Sequence, residues 1–509
     1  MTAKIEINSS SSTSNPRLLG STRLNIAFLC FFGCAIIYSL RSNLSFAIVC
    51  MVKDDGPSLN GTNFQEFNNV GAADIIIGEF DWAFFFGYLT SQMLGGILAG
   101  RFGAKIVLFV AVLASSLISI LSPGMARFNV AIFISIRALL GFTQGVIFPA
   151  MHSLLSGWAP PMERGILTGL SYAGAQVGNM LVMPLSGLLC RHGLDGGWPS
   201  IFYLFGAIGL FWCLIWFLIG ADSPQKHKTI KENEREYILE SLGKNKENNS
   251  PIEIKRRPIP LYSILTSKPV WAIFIGHFAG DWGSYTMALG IPSFLNDVLG
   301  LQLTSMGIVS ALPYLAYFAF INIGGHFADK LQQKGVFSTL NCRRLAMLIA
   351  YGGQALMLVI LLLILSTGIS GFQYAGFVVN YMDICPELSG FVLGIGNTLS
   401  CLAGLLSPII MGWLTPNGSK EEWLLVFYVT AFILVVGALI FSFFASAEVQ
   451  EWAKEDFDYS SNDAESQEKQ QKISVEQQKL PLLENDITTQ FVLQQREDCE
   501  EIGRRKEKE

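Results

Sequence analysis

Charge is scarce in this chain. Asp, Glu, Lys and Arg make up 15% of its 509 residues, where soluble domains carry roughly 25%. Apolar residues make up 51% and mean hydropathy is positive, which excludes an ordinary soluble domain of this length. No basic face with interleaved aromatics is present, so nucleic acid is not an expected partner. The small net negative charge reflects the C-terminal tail rather than the apolar runs. Nine cysteines lie mostly within those runs (Cys30, Cys34, Cys213, Cys401) and lack metal-type clustering. They read as small packing residues, not as a disulfide frame or a zinc site. No nucleophile–base arrangement, P-loop or metal spacing is found, so neither catalysis nor a cofactor is expected.

What is present is a series of long apolar runs, near residues 24–51, 80–100, 105–122, 129–151, 166–190 and 200–220, then 270–295, 304–326, 345–364, 365–381, 389–413 and 423–446. The first run follows a polar Ser-rich segment and is too long for a signal peptide core. Only helices satisfy their own backbone in lipid at this spacing. The expected fold is therefore all-α: twelve transmembrane helices in two six-helix halves, embedded in the bilayer. The divisions are a disordered N-terminus (1–23), a first half (24–220), a polar linker (221–268), a second half (269–447) and a disordered tail (448–509). Arg101, Lys105, Arg164, Lys330, Lys334, Arg343 and Arg344 fall on one side, with the basic linker. The opposite loops carry only Lys53, Arg127, Arg191 and Lys420. The positive-inside rule makes the first side cytosolic, with both termini. The sequons at Asn60 and Asn417 then lie in non-cytosolic loops where glycosylation can occur. Leucine pairs at Leu18-Leu19 and Leu482-Leu483 fit endosomal or lysosomal sorting signals, or are accidental.

Gly95-Gly96-Ile-Leu-Ala99-Gly100-Arg101 after span 2 recurs as Gly324-Gly325-His-Phe-Ala328-Asp329-Lys330 after span 8, as parallel repeats would give. Gly96 and its counterpart allow close helix approach, while the basic residue (Arg101 or Lys330) can meet the acidic or C-terminal end of a neighbouring helix, and Asp329 is a candidate structural residue. One region is irregular. Leu345–Asn380 is a single apolar stretch that yields two spans of ~27 Å each at 1.5 Å per residue, joined at Ser366–Ser370. Either these spans are short, or a piece is deleted near residue 368.

Four ionisable residues stand inside apolar runs, where they are costly and tend to be functional. Arg41 in span 1 lies ~25 Å along its helix, past the midplane, and either faces substrate or snorkels. Arg137 in span 4 is ~13 Å deep, and either binds an anionic substrate or forms an internal ion pair. Guanidinium groups there favour a carboxylate or phosphate. Asp281 in span 7 is either an ion-coupling carboxylate or a fixed counter-ion. Asp81, at the start of span 2, either titrates at the luminal mouth or is a helix-start carboxylate. Tyr285, one turn past Asp281, either bonds substrate or packs. His152 ends span 4 at the cytosolic boundary, where a hydrogen bond to the next loop is expected.

Three blocks, Arg41-Ser-Asn43-Leu-Ser45, Arg137–Gly187 and Met382-Asp383-Ile-Cys-Pro386-Glu387 leading into Gly394-Ile-Gly-Asn397-Thr398, resemble the major facilitator superfamily. Within it they resemble the anion:cation symporters that include sialin, the vesicular glutamate transporters and the type I sodium–phosphate transporters. Phe148-Pro-Ala-Met-His152 with Ser171-Tyr-Ala-Gly-Ala-Gln176 is most similar to the sialin pattern. The resemblance implies alternating access, an organic anion bound between the halves, and coupling to H+ or Na+. It adds Asn397 to the candidate substrate residues. Leu140 and Gln144 replace acidic residues expected one and two turns after the arginine. Gly280 stands where glutamate-transporting members carry a second arginine, which argues against glutamate. Gly100 replaces an aspartate in the first repeat signature.

The leading expectation is a monomeric secondary transporter of an organic monoanion, such as an acidic sugar, in a lysosomal or vesicular membrane or at the plasma membrane. The alternatives are a sodium-coupled phosphate or urate transporter, and a non-transporting relative inactivated by the deletion.

Overall fold

Long apolar runs leave the backbone only itself to bond with. The computed structural model is accordingly helical, with no strand among the described residues (16–51, 70–243, 259–298, 303–359 and 362–454). In order come α1 (Thr22–Met51), α2 (Val70–Phe102), α3 (Ala104–Phe128), α4 (Val130–Gly145), α5 (Ile147–Trp158), α6 (Arg164–His192) and α7 (Pro199–Ile219). The connecting segment carries α8 (Glu232–Ser241) and α9 (Leu261–Thr266). There follow α10 (Lys268–Asp297), α11 (Leu303–Gln333), α12 (Thr339–Met347), α13 (Gly353–Val359), α14 (Leu363–Ile369), α15 (Phe377–Ile384), α16 (Ser389–Leu414) and α17 (Lys420–Phe444). Among the described residues eight segments are long and apolar enough to cross a membrane, one of them running from Val130 to Trp158 through α4 and α5. The chain is a multi-pass membrane protein.

These helices belong to one compact unit, 1–253 with 261–453; of the second unit (254–260 and 454–509) only residues 259, 260 and Lys454 are described. Within the main unit the face where α1 begins, here the near face, also carries the ends of α2, α5, α7, α11 and α15 and the starts of α3, α6, α10, α12 and α16.

Two sequence expectations need correction. The irregular stretch does not turn at Ser366–Ser370. Helix α12, a π-helical turn at Leu348–Gly352 and α13 run on from Thr339 to Val359; α14, a 3-10 turn at Ser370–Tyr374 and α15 cover Leu363–Ile384. The first segment starts six residues before the apolar run, because Ser338 caps it by accepting from the Asn341 N–H and its first turn is polar. Each segment therefore has the ~20 residues a span requires. Second, Cys190, near the end of α6, is disulfide-bonded, so the cysteines are not all packing residues. Such a bond persists in an oxidising compartment, a circumstance that run hydrophobicity does not report. The polar linker carries ordered contacts. Glu234 on α8 is buried and accepts from the Thr22 and Arg23 N–H groups at 3.0 and 2.9 Å, capping the start of α1.

The near face is closed by close approach of paired glycines. A Cβ on Gly96 would strike the backbone of Gly390 and Phe391, and one on Gly325 would strike that of Gly165. This brings α2 against α16 and α11 against α6. Asp329, fully buried, accepts from the Gly165 and Ile166 N–H groups at 3.0 and 2.7 Å, filling orphan donors at the start of α6. Beside it Asp383 on α15 bonds both Arg164 (3.0 Å) and Arg343 (2.8 Å), all three buried. The equivalent position in the other repeat is Gly100, where a Cβ would meet nothing, so only one of the two matched interfaces has its carboxylate cap. Arg101 and Lys330 do not meet neighbouring helix ends. Both are exposed, with no ion pair among the described residues.

Candidate functional site

A cavity of about 740 Å³ is lined from mid-helix toward the far face by α1, α2, α5, α6, α10, α11, α14–α16 and the 3-10 turn at Ser370–Tyr374. Closure of the near face and the far-side position of Trp82, Ile291, Pro313 and Ile409 in the lining make it a far-side vestibule.

Arg41 lines this cavity. Its Cζ lies over four rings, at 4.8 Å from the centre of Phe85, 5.0 Å from Phe84, 5.6 Å from Tyr88 and 5.8 Å from Tyr38. The rings hold the guanidinium by cation–π attraction. No salt bridge involves it among the described residues. Among the lining residues it is the single Arg or Lys, and Asp281 the single carboxylate.

Arg137 does not line the cavity. It is buried behind Arg41, donates from Nη2 to the Arg41 carbonyl at 3.2 Å, and lies over Phe84 at 5.5 Å. The depth was legible from the sequence, but not which side of α4 the residue occupies. Leu140 and Gln144 are also buried outside the cavity lining.

Asp281 accepts from the Ser400 hydroxyl through Oδ2 at 2.6 Å, and His277 Nε2 approaches the same oxygen at 3.6 Å. Its side chain is 25% exposed, and Oδ1 has no hydrogen bond among the described residues. Tyr285 lines the cavity one turn on, its ring 6.2 Å from Phe85. Asn397 lines it too, donating from Nδ2 to the Tyr88 hydroxyl at 3.3 Å. The structure thus brings Arg41, Asp281, Tyr285 and Asn397 together.

His152 does not bond to the following loop. It is fully buried, and its Nδ1 pairs with the hydroxyl of Tyr172 on α6 at 3.2 Å, with its ring edge toward Tyr381. The loop is out of reach because α5 continues to Trp158 beyond it. Asp81 stands on α2, with its side chain outside the described residues, as is Asn60. Asn417 follows α16, its Nδ2 donating to Glu422 at 2.8 Å.

Several groups were not singled out from sequence. His277 bonds the Tyr381 hydroxyl through Nδ1 at 3.1 Å. Gln373 bonds both Tyr317 and Tyr351. Gly280 leaves no room for a longer residue, because a Cβ there would strike the buried Gln373 and Tyr351 side chains. The place of the second arginine is therefore occupied by neutral groups. Arg164, Arg343 and Asp383 were visible only as topogenic charges or motif letters.

Comparison with known proteins agrees with this architecture. The Major Facilitator Superfamily model matches residues 28–408. An uncharacterized transporter of Caenorhabditis elegans, slc-17.2, is 48% identical over 469 residues, which is 87% of this chain and 94% of the relative. Human sialin is 38% identical over 464 residues (86% and 92%). Bovine vesicular glutamate transporter 2 is 35% identical over 442 residues (85% and 75%). Among solved structures, the proton:xylose symporter XylE superposes with a TM-score of 0.63 at 16% identity, over 84% of this chain and 96% of that one, a likeness of fold. The chain belongs to the major facilitator superfamily, among the relatives of sialin and the vesicular glutamate transporters.

Proposed function

We propose that this protein is a secondary active transporter of organic anions, built of twelve spans in two six-helix halves that rock about the central cavity. The observation that carries this reading is Arg41: a guanidinium without a carboxylate partner among the described residues, held by aromatic rings at the wall of a large cavity. Such a group attracts a carboxylate and bonds it bidentately. Tyr285 and Asn397 supply neutral hydrogen-bonding groups beside it. Arg137 supports the site from behind rather than touching the substrate.

A cavity of about 740 Å³ is in the size range of small-molecule sites and favours an organic anion such as an acidic sugar over inorganic phosphate. Asp281 is the coupling group for H+ or Na+, with Asp81 a second candidate at the mouth. The near face is the cytosolic one, with both termini on that side. The membrane is lysosomal or vesicular, with glycans at Asn60 and Asn417 on the luminal side. Full-length segments at Thr339–Val359 and Leu363–Ile384 favour transport over an inactive deletion product. The test is uptake into proteoliposomes across sialic acid, glutamate, urate and phosphate, under imposed pH and sodium gradients. Loss of all anion uptake in Arg41→Gln supports the reading; unaltered uptake overturns it.

A further inference from the structure

The cavity holds two opposite charges that do not neutralise each other. Arg41 and Asp281 both line it, yet no ion pair forms between them within 4 Å. Rings line the wall beside both: Phe85 packs under the guanidinium and against Tyr285, which follows Asp281 by one turn of α10. Asp281 is only half engaged, with Oδ2 held by Ser400 and Oδ1 without a hydrogen bond among the described residues. A simple monoanion satisfies Arg41 and leaves a second negative charge facing it in a poorly solvated space, which is costly.

Accepting the anion-binding role of Arg41 proposed above, we propose that the cavity takes a zwitterion, an amino carboxylate with its ammonium and carboxylate on different carbons. The carboxylate binds Arg41, and the ammonium binds Oδ1 of Asp281 among aromatic rings that also attract a cation. The substrate then neutralises both walls by itself, its ammonium taking the place at Asp281 that the coupling cation takes beside a simple monoanion. Charged walls more than 4 Å apart suit the spaced charges of an ω-amino acid.

The test is counterflow exchange in proteoliposomes, which needs no driving gradient, with 4-aminobutyrate and its deaminated analogue butyrate as probes. Wild type is expected to exchange 4-aminobutyrate at least tenfold faster than butyrate. Asp281→Asn is expected to lower that ratio at least tenfold, and Asp281→Glu to retain it. Binding of each probe to purified protein, read as thermal stabilisation, gives the same ratios if exchange fails in a variant. A wild-type preference for butyrate, an unchanged ratio in Asp281→Asn, or neither probe being bound or moved overturns the proposal. Arg41→Gln separates the two readings. If it still binds both probes, the anion site is wrong. If it loses both while Asp281→Asn leaves the ratio unchanged, only the zwitterion is wrong.

Discussion

The buried guanidinium of Arg137 donates to the main-chain carbonyl of Arg41 across 3.2 Å, so one arginine anchors the backbone that presents the other to the cavity. The two cations therefore have different duties, although each stands deep in an apolar run. Arg41→Gln should weaken anion binding by roughly 10- to 100-fold, the value of a charged hydrogen bond or two. Arg137→Gln should instead lower thermal stability and reduce the amount of folded protein. Binding per folded molecule, measured by titration on purified protein, distinguishes them: equal losses would remove the division of roles.

Asp329 caps the start of α6 across the near-face interface. Asp329→Asn keeps the shape but loses charge-assisted acceptance, at a cost of about 1 kcal/mol. The near face should open more often. A cysteine replacing Thr168, buried on α6 one turn past Gly165, should react faster with a membrane-impermeant thiol reagent added from that side. The matching variant Gly100→Asp, which would supply the missing carboxylate at the α2–α16 interface, should slow the reaction of a cysteine at the same site.

Asp383 is shared by Arg164 and Arg343. Removing one partner, as in Arg343→Gln, loses a buried charge-assisted bond, at a cost of about 1.5–3 kcal/mol, but leaves Asp383 paired with Arg164. A fall in melting temperature is expected. The double variant Arg343→Gln with Asp383→Asn should fall further, since Arg164 is then buried without its carboxylate. No further fall would mean that the carboxylate does not hold Arg164.

Gly280 faces Gln373 and Tyr351. Gly280→Arg would place a second cation near the cavity but must displace a hydrogen-bonded buried pair. The expected outcome is misfolding or strong destabilisation rather than a gain of dicarboxylate transport. Expression with Gln373→Ala as a companion change should partly rescue folding, as read by size-exclusion profile.

His227, in the segment after α7, packs edge-on against Trp158 and accepts from the Thr229 N–H at 3.3 Å. Burial lowers its pKa below the ordinary value. The folded state therefore favours the neutral ring, and stability is lost as pH falls from about 6.5, its unfolded value, through the lower folded value. Melting temperature compared at pH 7.5 and 5.5 should fall less in His227→Gln than in wild type.

Much of this was legible from the chain because hydropathy and lipid leave few choices. Most helices lie within a few residues of their apolar runs, and the glycine-rich repeat after spans 2 and 8 marked two helix contacts of the same kind. The start at Thr339 was not legible, because its first turn is polar and held by a cap. The structured role of Glu234 was hidden for a similar reason: one charge in a charged linker looks like any other until it meets the start of α1.

The sequence by itself determined the class and the chemistry available: an α-helical membrane chain, a family pattern, and a handful of ionisable residues too deep to be accidental. Only the tertiary structure decided which of them share a cavity. Depth along a helix follows from counting at 1.5 Å per residue, but the side of the helix that faces the cavity depends on which neighbours pack against it. That is why Arg41 and Asp281 meet across the cavity, while Arg137, just as deep in its own run, stands behind the wall.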